Sequence, residues 1–138
     1  MGGCGFVLYY NERHYYQGWM GLSTNTNNLA EIMAIWLLLF WAHRLNIRNL
    51  KIYGDSLLII NWLQGKTRIK AITLIHRCTR IRELINQMGQ VQFQHIYREH
   101  NMEADELSKR ALGSQEGIIQ IEEVYEGTLN RIYDYKLY

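Results

Sequence analysis

The chain has 138 residues, 48% of them hydrophobic and 20% charged, with a formal net charge of +2 at pH 7. A chain of this size buries one core and leaves no room for a second domain, and its near-balanced charge excludes bulk electrostatic attraction to nucleic acid as the basis of function. Proline is absent, and neither a low-complexity tract nor an internal repeat interrupts residues 2–112.

In chain order, the opening run Gly2–Tyr10 holds an apolar strand over Phe6–Tyr10. Leu29, Ile32, Met33, Ile35, Trp36, Leu39, Phe40 and Ala42 then recur at helical spacing, with Asn27 and Asn28 as the expected N-cap and Glu31 in the first turn. The apolar stretch Ile32–Ala42 is about half the length needed to span a bilayer and is flanked by Glu31, His43 and Arg44, so it reads as a core helix with no membrane role. Leu50–Tyr53, stopped by Gly54, reads as a buried strand that delivers Asp55 at its carboxyl end, and Ser56–Trp62 restarts as a helix. Such strand-to-helix junctions are where open α/β sheets place ligand sites.

Between Lys66 and Arg82 stand Lys66, Arg68, Lys70, Arg77, Arg80 and Arg82 with no acid among them. Ile72, Leu74, Ile75, Ile81 and Leu84 supply the apolar side of a helix there, so the cations read either as its solvated face or as a grip on phosphates. Val91–Tyr97 alternates as a strand, Met102–Leu112 is helical and carries Asp105, and Gly117–Glu126 has the β-branched content of one more strand. Cys4 and Cys78 lack metal-ligand spacing and read as core thiols. With no signal peptide expected, the chain is assigned to an intracellular, reducing compartment, nucleus and cytoplasm being indistinguishable.

Glu31, Asp55 and Asp105 each sit within or at the end of an apolar element, where a carboxylate is costly unless positive charge compensates it. A divalent cation shared among them would supply that charge.

Four blocks carry a resemblance: Gly2-Gly3-Cys4-Gly5-Phe6-Val7-Leu8-Tyr9-Tyr10, Thr26-Asn27-Asn28-Leu29-Ala30-Glu31, Gly54-Asp55-Ser56 and Tyr97-Arg98-Glu99-His100-Asn101-Met102-Glu103-Ala104-Asp105. In order and spacing they resemble a ribonuclease H domain, more narrowly the plant and retrotransposon types, over residues 2–112. The resemblance implies an α/β fold, a mixed β-sheet flanked by α-helices. It also implies an endonuclease that cuts the RNA strand of RNA–DNA hybrids with Mg²⁺ or Mn²⁺ held by four carboxylates. By position, Glu31, Asp55 and Asp105 are the second, third and fourth of these, serving as metal ligands and catalytic residues. Asn27 and Asn28 match amides that meet the hybrid's 2′-hydroxyls, or else cap their helix. Ser56 is a phosphate donor or a helix cap, and Asn101 orients water or metal. His100 is a shifted counterpart of a product-release histidine or a plain surface residue. Lys70, Arg77 and Arg80 fall in a region that forms a basic projection in some relatives. Trp62 is a stacking candidate, while Trp19, Trp36 and Trp41 read as core.

The family's first acid ends a strand that precedes the glycine-rich element, and here Met1 stands almost upon that element, so a domain truncated at its N-terminus is expected. Residues 113–138 then form a C-terminal tail with two readings. Either its strand fills the vacated central slot and Glu122 or Glu123 restores a fourth acid, or it is an edge strand or linker. Without a restored acid, weak or no cleavage is expected, and the alternative function is a catalytically inactive domain that binds nucleic acid or a protein partner. A homodimer exchanging tails is one expected way to cover an open strand edge.

Overall fold

The computed structural model describes residues 2–23, 26–112 and 114–137, with Arg98 described by its backbone alone. The described residues form six strands and four α-helices in two compact units: one of the residues up to Thr26 together with those from Met102 onward, the other of Asn27–Asn101.

The first unit is built on strands β1 (Gly2–Tyr9) and β2 (His14–Leu22), an antiparallel hairpin in register from Gly2 opposite Leu22 to Tyr9 opposite Tyr15. Asn11 shapes its turn by accepting the N–H groups of Arg13 and His14 on its side-chain oxygen at 2.8 and 2.9 Å, the local chemistry that makes asparagine a turn residue. Alternation sends Cys4, Phe6 and Leu8 to one face, where all three are buried. Gly3 and Gly5 lie on the other face, under the short helix α4 (Met102–Arg110). A Cβ at Gly3 would run into the backbone carbonyl of Ser108, so the glycines set how closely α4 approaches. Trp19, Leu107 and Ala111 close that small core.

Two further strands, β5 (Ile118–Tyr125) and β6 (Thr128–Lys136), complete the unit. They are joined at Glu126-Gly127, both with positive φ (51° and 77°), the conformation a tight two-residue hairpin turn requires. The sheet order is β1-β2-β5-β6, antiparallel throughout, with a bulge where Glu123 and Val124 meet β6. The tail strand thus sits on the edge of β2 opposite to β1, and among the described residues β2 is the one strand paired with β1. Of the two readings of the tail, insertion beside β1 is corrected and extension of the sheet at its edge is what the structure has: Ile119 and Ile121 are fully buried in their places along β2.

The second unit contains helix α1 (Asn27–Arg44), strand β3 (Asn49–Gly54), helices α2 (Leu57–Leu63) and α3 (Ile72–Gln87), and strand β4 (Gln90–His95). β3 and β4 are parallel, in register from Asn49 opposite Gln90 to Gly54 opposite His95. α1 packs against α3 and α2, and α2 against β4. Two expectations change here. Helix α1 begins at Asn27, which places Glu31 in its second turn rather than its first. β3 is half-buried rather than buried, since Ile52 and Gly54 point inward while Lys51 and Tyr53 are exposed, the alternation of a strand with one wet face. α1 buries Leu37 and Trp41 as well as Leu29, Ile32, Ile35, Leu39 and Ala42, more of its circumference than one stripe, as expected of an interior helix. Cys4 and Cys78 are free, buried thiols, and burial pushes the Cys4 thiol up to about 12. No helix among the described residues is long and apolar enough to cross a membrane.

Candidate active site

The site in the second unit grows from the carboxyl end of β3. Gly54 closes that strand with no room for a side chain: a Cβ would lie 3.0 Å from Ile60 Cδ1 and 3.2 Å from Glu31 Oε1. The glycine thereby lets the Glu31 carboxylate rest against the strand end. Ser56 N–H donates to Glu31 Oε2 at 2.7 Å, while the Ser56 hydroxyl donates to Asn28 Oδ1 at 3.0 Å and accepts the Ile59 N–H at 3.4 Å. Ser56 is therefore the N-cap of α2. Asn28, inside the first turn of α1 rather than capping it, ties α1 to that cap. Asn101 Nδ2 donates to Asp55 Oδ2 at 3.1 Å, and His95 Nε2 donates to the Asp55 carbonyl oxygen at 3.2 Å.

Electrostatically the pair Glu31–Asp55 is poised for a cation. Burial, first of all, pushes Glu31 up; the Ser56 N–H opposes this, and the adjacent Asp55 charge with a carboxyl–carboxyl hydrogen bond adds to it, for a result of about 7. Carboxylate oxygens crowded in this way are a hard donor set that Mg²⁺ or Mn²⁺ suits, so Glu31 and Asp55 fit the role of metal ligands. No group of three or more His, Cys, Asp or Glu side chains gathers as a metal-holding cluster among the described residues.

The other expected site residues distribute as follows. Asn27 opens α1 and is exposed. Asp105 stands on α4 in the first unit, its carboxylate 3.4 Å from Lys109 Nζ and its carbonyl accepting the Ser108 hydroxyl at 2.6 Å. Glu122 and Glu123, the candidates for a restored acid, are held by their own sheet. Glu122 accepts from Gln17 at 2.9 Å and from Arg110 at 3.2 Å; Glu123 accepts from His14 at 2.8 Å, Tyr16 at 2.7 Å and Asn130 at 2.9 Å. His100 is exposed at the end of a short 3₁₀ turn. One face of the Trp62 ring is covered by Arg82, whose guanidinium lies 4.7 Å from the ring centroid and donates to the Trp62 carbonyl at 2.9 Å. Lys70 and Arg80 are exposed, and Arg77 is half-buried and donates back to the Thr73 carbonyl at 3.2 Å.

His95 is the site residue that sequence reasoning passed over. The usable signal was positional: His95 ends β4 as Gly54 ends β3, and neighbouring parallel strands present their carboxyl ends together.

A protein-family model described as reverse transcriptase-like matches residues 2–111. Among solved structures, the chain is similar to RNase H1 from the halophilic archaeon Halobacterium salinarum, with 24% identity, 80% of this chain and 95% of that one covered, and a TM-score of 0.64. It is similar to the N-terminal RNase H domain of a Mycobacterium tuberculosis protein solved as a fusion with maltose-binding protein, with 19% identity, coverage of 80% and 91%, and a TM-score of 0.65. It is also similar to LC11 RNase H1 solved in complex with an RNA/DNA hybrid, with 22% identity, coverage of 79% and 92%, and a TM-score of 0.63. At these identities the likeness is one of fold.

Proposed function

The chain belongs to the reverse transcriptase-like family of ribonuclease H domains, and from that membership we propose that its acidic site serves RNA–DNA hybrids, binding them with divalent metal and hydrolysing the RNA strand. The observation that carries the proposal is the Glu31–Asp55 pair, two carboxylates brought together at a strand end with Glu31 pushed up to about 7. The hybrid held by the LC11 enzyme supports the choice of ligand.

Glu31 and Asp55 would hold Mg²⁺ or Mn²⁺, and Asp105 keeps the family position of the last acid. Metal bound there supplies a water of lowered pKa and positive charge for the leaving oxygen. Asn101 fixes the Asp55 carboxylate through its 3.1 Å hydrogen bond, and the Ser56 N–H fixes Glu31. Asn28 spends its amide oxygen on Ser56, which leaves its Nδ2 group as the donor for a ribose 2′-hydroxyl. Arg77 and Arg80 add phosphate contacts on α3. Glu122 and Glu123 are engaged by donors of their own and take no part in this proposal.

The test incubates the 138-residue chain with a labelled hybrid, with duplex DNA and with duplex RNA, in Mg²⁺, Mn²⁺ or EDTA. Hybrid is expected to bind in preference to either duplex, and metal-dependent cutting is expected to disappear in Asp55→Asn. Cutting that survives Asp55→Asn, or equal affinity for all three nucleic acids, refutes the proposal.

A further inference from the structure

We propose that Glu122 and Gln120 of β5 are positioning residues for Asp105: acting through Arg110 and Trp19, they fix where helix α4 lies on the β1–β2 hairpin. The inference rests on the proposed cleavage of hybrids, in which Asp105 keeps the family position of the last acid. It gives a role to a strand that lies beyond residue 111, where the family match ends.

α4 is nine residues long, and Leu107 is the residue it buries. A helix this short has little stability of its own, so the surface beneath must hold it. That surface is floored by Gly3 and Gly5 of β1, with Gly21 of β2 under the turn that follows the helix. A Cβ at Gly5 would come within 2.5 Å of Leu107 Cβ, so the glycines let the helix approach closely. They offer it no side chain to lodge against, however, and a floor of this kind sets the height of α4 rather than its lateral position. Trp19, with Val7 beside it, rises from that floor as the fixed point.

Both ends of the helix are tied to the sheet. At the N-terminal end, Tyr9 Oη donates to Glu103 Oε2 at 2.5 Å. At the C-terminal end, the Arg110 guanidinium lies 4.8 Å from the Trp19 ring centroid and donates to Glu122 Oε1 at 3.2 Å, the oxygen that also accepts from Gln17 Nε2 at 2.9 Å. Trp19 Nε1 donates in turn to Gln120 Oε1 at 2.9 Å. Register explains why β5 supplies both acceptors. Gln120 stands opposite Trp19 and Glu122 opposite Gln17, so two alternate residues of β5 share the face that α4 covers, and a slip of one residue would turn both away.

Trp19 is only 8% exposed, and a buried indole N–H is costly to leave unpaired, so Gln120 anchors the ring. The Arg110 side chain is 53% exposed, and its pair with Glu122 alone would hold little. Stacked on an anchored ring and drawn to a carboxylate fixed by Gln17, the guanidinium has one resting place. Asp105 rides on the same short helix, so a displacement at Arg110 is carried to its carboxylate.

The experiment reads α4 directly and through the reaction. Amide hydrogen exchange over residues 106–111 is compared in the full chain and in Glu122→Ala, Gln120→Leu and Glu122→Gln, with hybrid cleavage measured alongside. Glu122→Ala and Gln120→Leu are expected to speed exchange in α4 about tenfold, with exchange in α1 and circular dichroism unchanged. Both are expected to lower kcat about tenfold or more at unchanged KM, as a displacement of a reacting group by about 1 Å does. Glu122→Gln keeps an oxygen for Arg110 and Gln17 and is expected to restore most of both. Exchange in α4 that stays at the parent rate in Glu122→Ala and Gln120→Leu overturns the inference, as does a kcat that holds while α4 loosens. A parent chain that leaves hybrid uncut overturns the proposed function and with it the link to Asp105, while exchange still decides whether β5 holds α4.

Discussion

Glu31→Gln should stabilise this protein at alkaline pH while removing an acid from its site. In the folded chain burial and the neighbouring Asp55 push the Glu31 carboxyl from 4.5 up to about 7. Between those values the native state holds a proton that the unfolded chain has released, so stability falls as pH rises through the window; it is complete below 4.5 and lost above 7. A shift of this size corresponds to about 3 kcal/mol, and partial solvent screening brings the expected penalty at pH 8 to roughly 2–3 kcal/mol. Glutamine keeps an oxygen for the Ser56 N–H and carries no charge. Urea unfolding at pH 5 and pH 8, in EDTA, should show the variant near the parent at pH 5 and about 2 kcal/mol above it at pH 8. Mg²⁺ should narrow the gap at pH 8 by stabilising the parent more than the variant, because a cation that binds the native site adds stability by mass action. A variant less stable than the parent at pH 8, or one offset equally at both pH values, would refute the placing of two carboxylates in one buried site.

The remaining expectations concern the supports of that site and of the sheet. Ser56→Ala removes both the cap of α2 and the link to Asn28, and should lower stability by about 1–2 kcal/mol, read as a reduced urea midpoint. Gly21→Ala would drive a methyl group into the Ser114 backbone carbonyl, which cannot rotate away, and should cost about 3 kcal/mol or abolish folding. Gly127→Ala meets no neighbour within 4 Å but must adopt φ of 77°, so thermal unfolding should report a loss of about 1–2 kcal/mol from backbone strain alone. For Glu123, burial opposes ionisation, but hydrogen bonds from Tyr16, His14 and Asn130 outweigh it and hold the carboxyl below its usual range. The stabilisation it contributes is present above the unfolded pKa and disappears as pH falls through the folded one. Tyr16→Phe should therefore raise the acid-unfolding midpoint, seen by tryptophan fluorescence, and cost about 1–3 kcal/mol at neutral pH.

Local pattern carried much of this far. The spacing from Leu29 to Ala42 announced α1, the Gly54-Asp55-Ser56 junction announced a strand end feeding a capped helix, and the β-branched run near Ile119 announced a strand. Asp55 stood out as a candidate because it follows a short apolar strand, where a carboxylate needs a reason to be. β6 was less legible, since Thr128–Lys136 mixes charge with apolar residues and its strand character comes from pairing along β5. Leu37 and Trp41 fell outside the helical stripe because burial around most of α1 leaves no stripe to detect.

What the sequence determined by itself was the chemistry available: which residues carry carboxylates, which glycines permit close approach, and the order of motifs that marks the family. Tertiary structure decided which of these meet. Glu31 and Asp55 are 24 positions apart in number, and only the packing of α1 against the end of β3 makes one raise the other's proton affinity. The same packing logic withheld Glu122 and Glu123, whose charges an isolated reading leaves open. Their partners Gln17, His14 and Tyr16 come from β2, roughly a hundred residues earlier in the chain, and strand pairing over that separation depends on register, which no local pattern encodes.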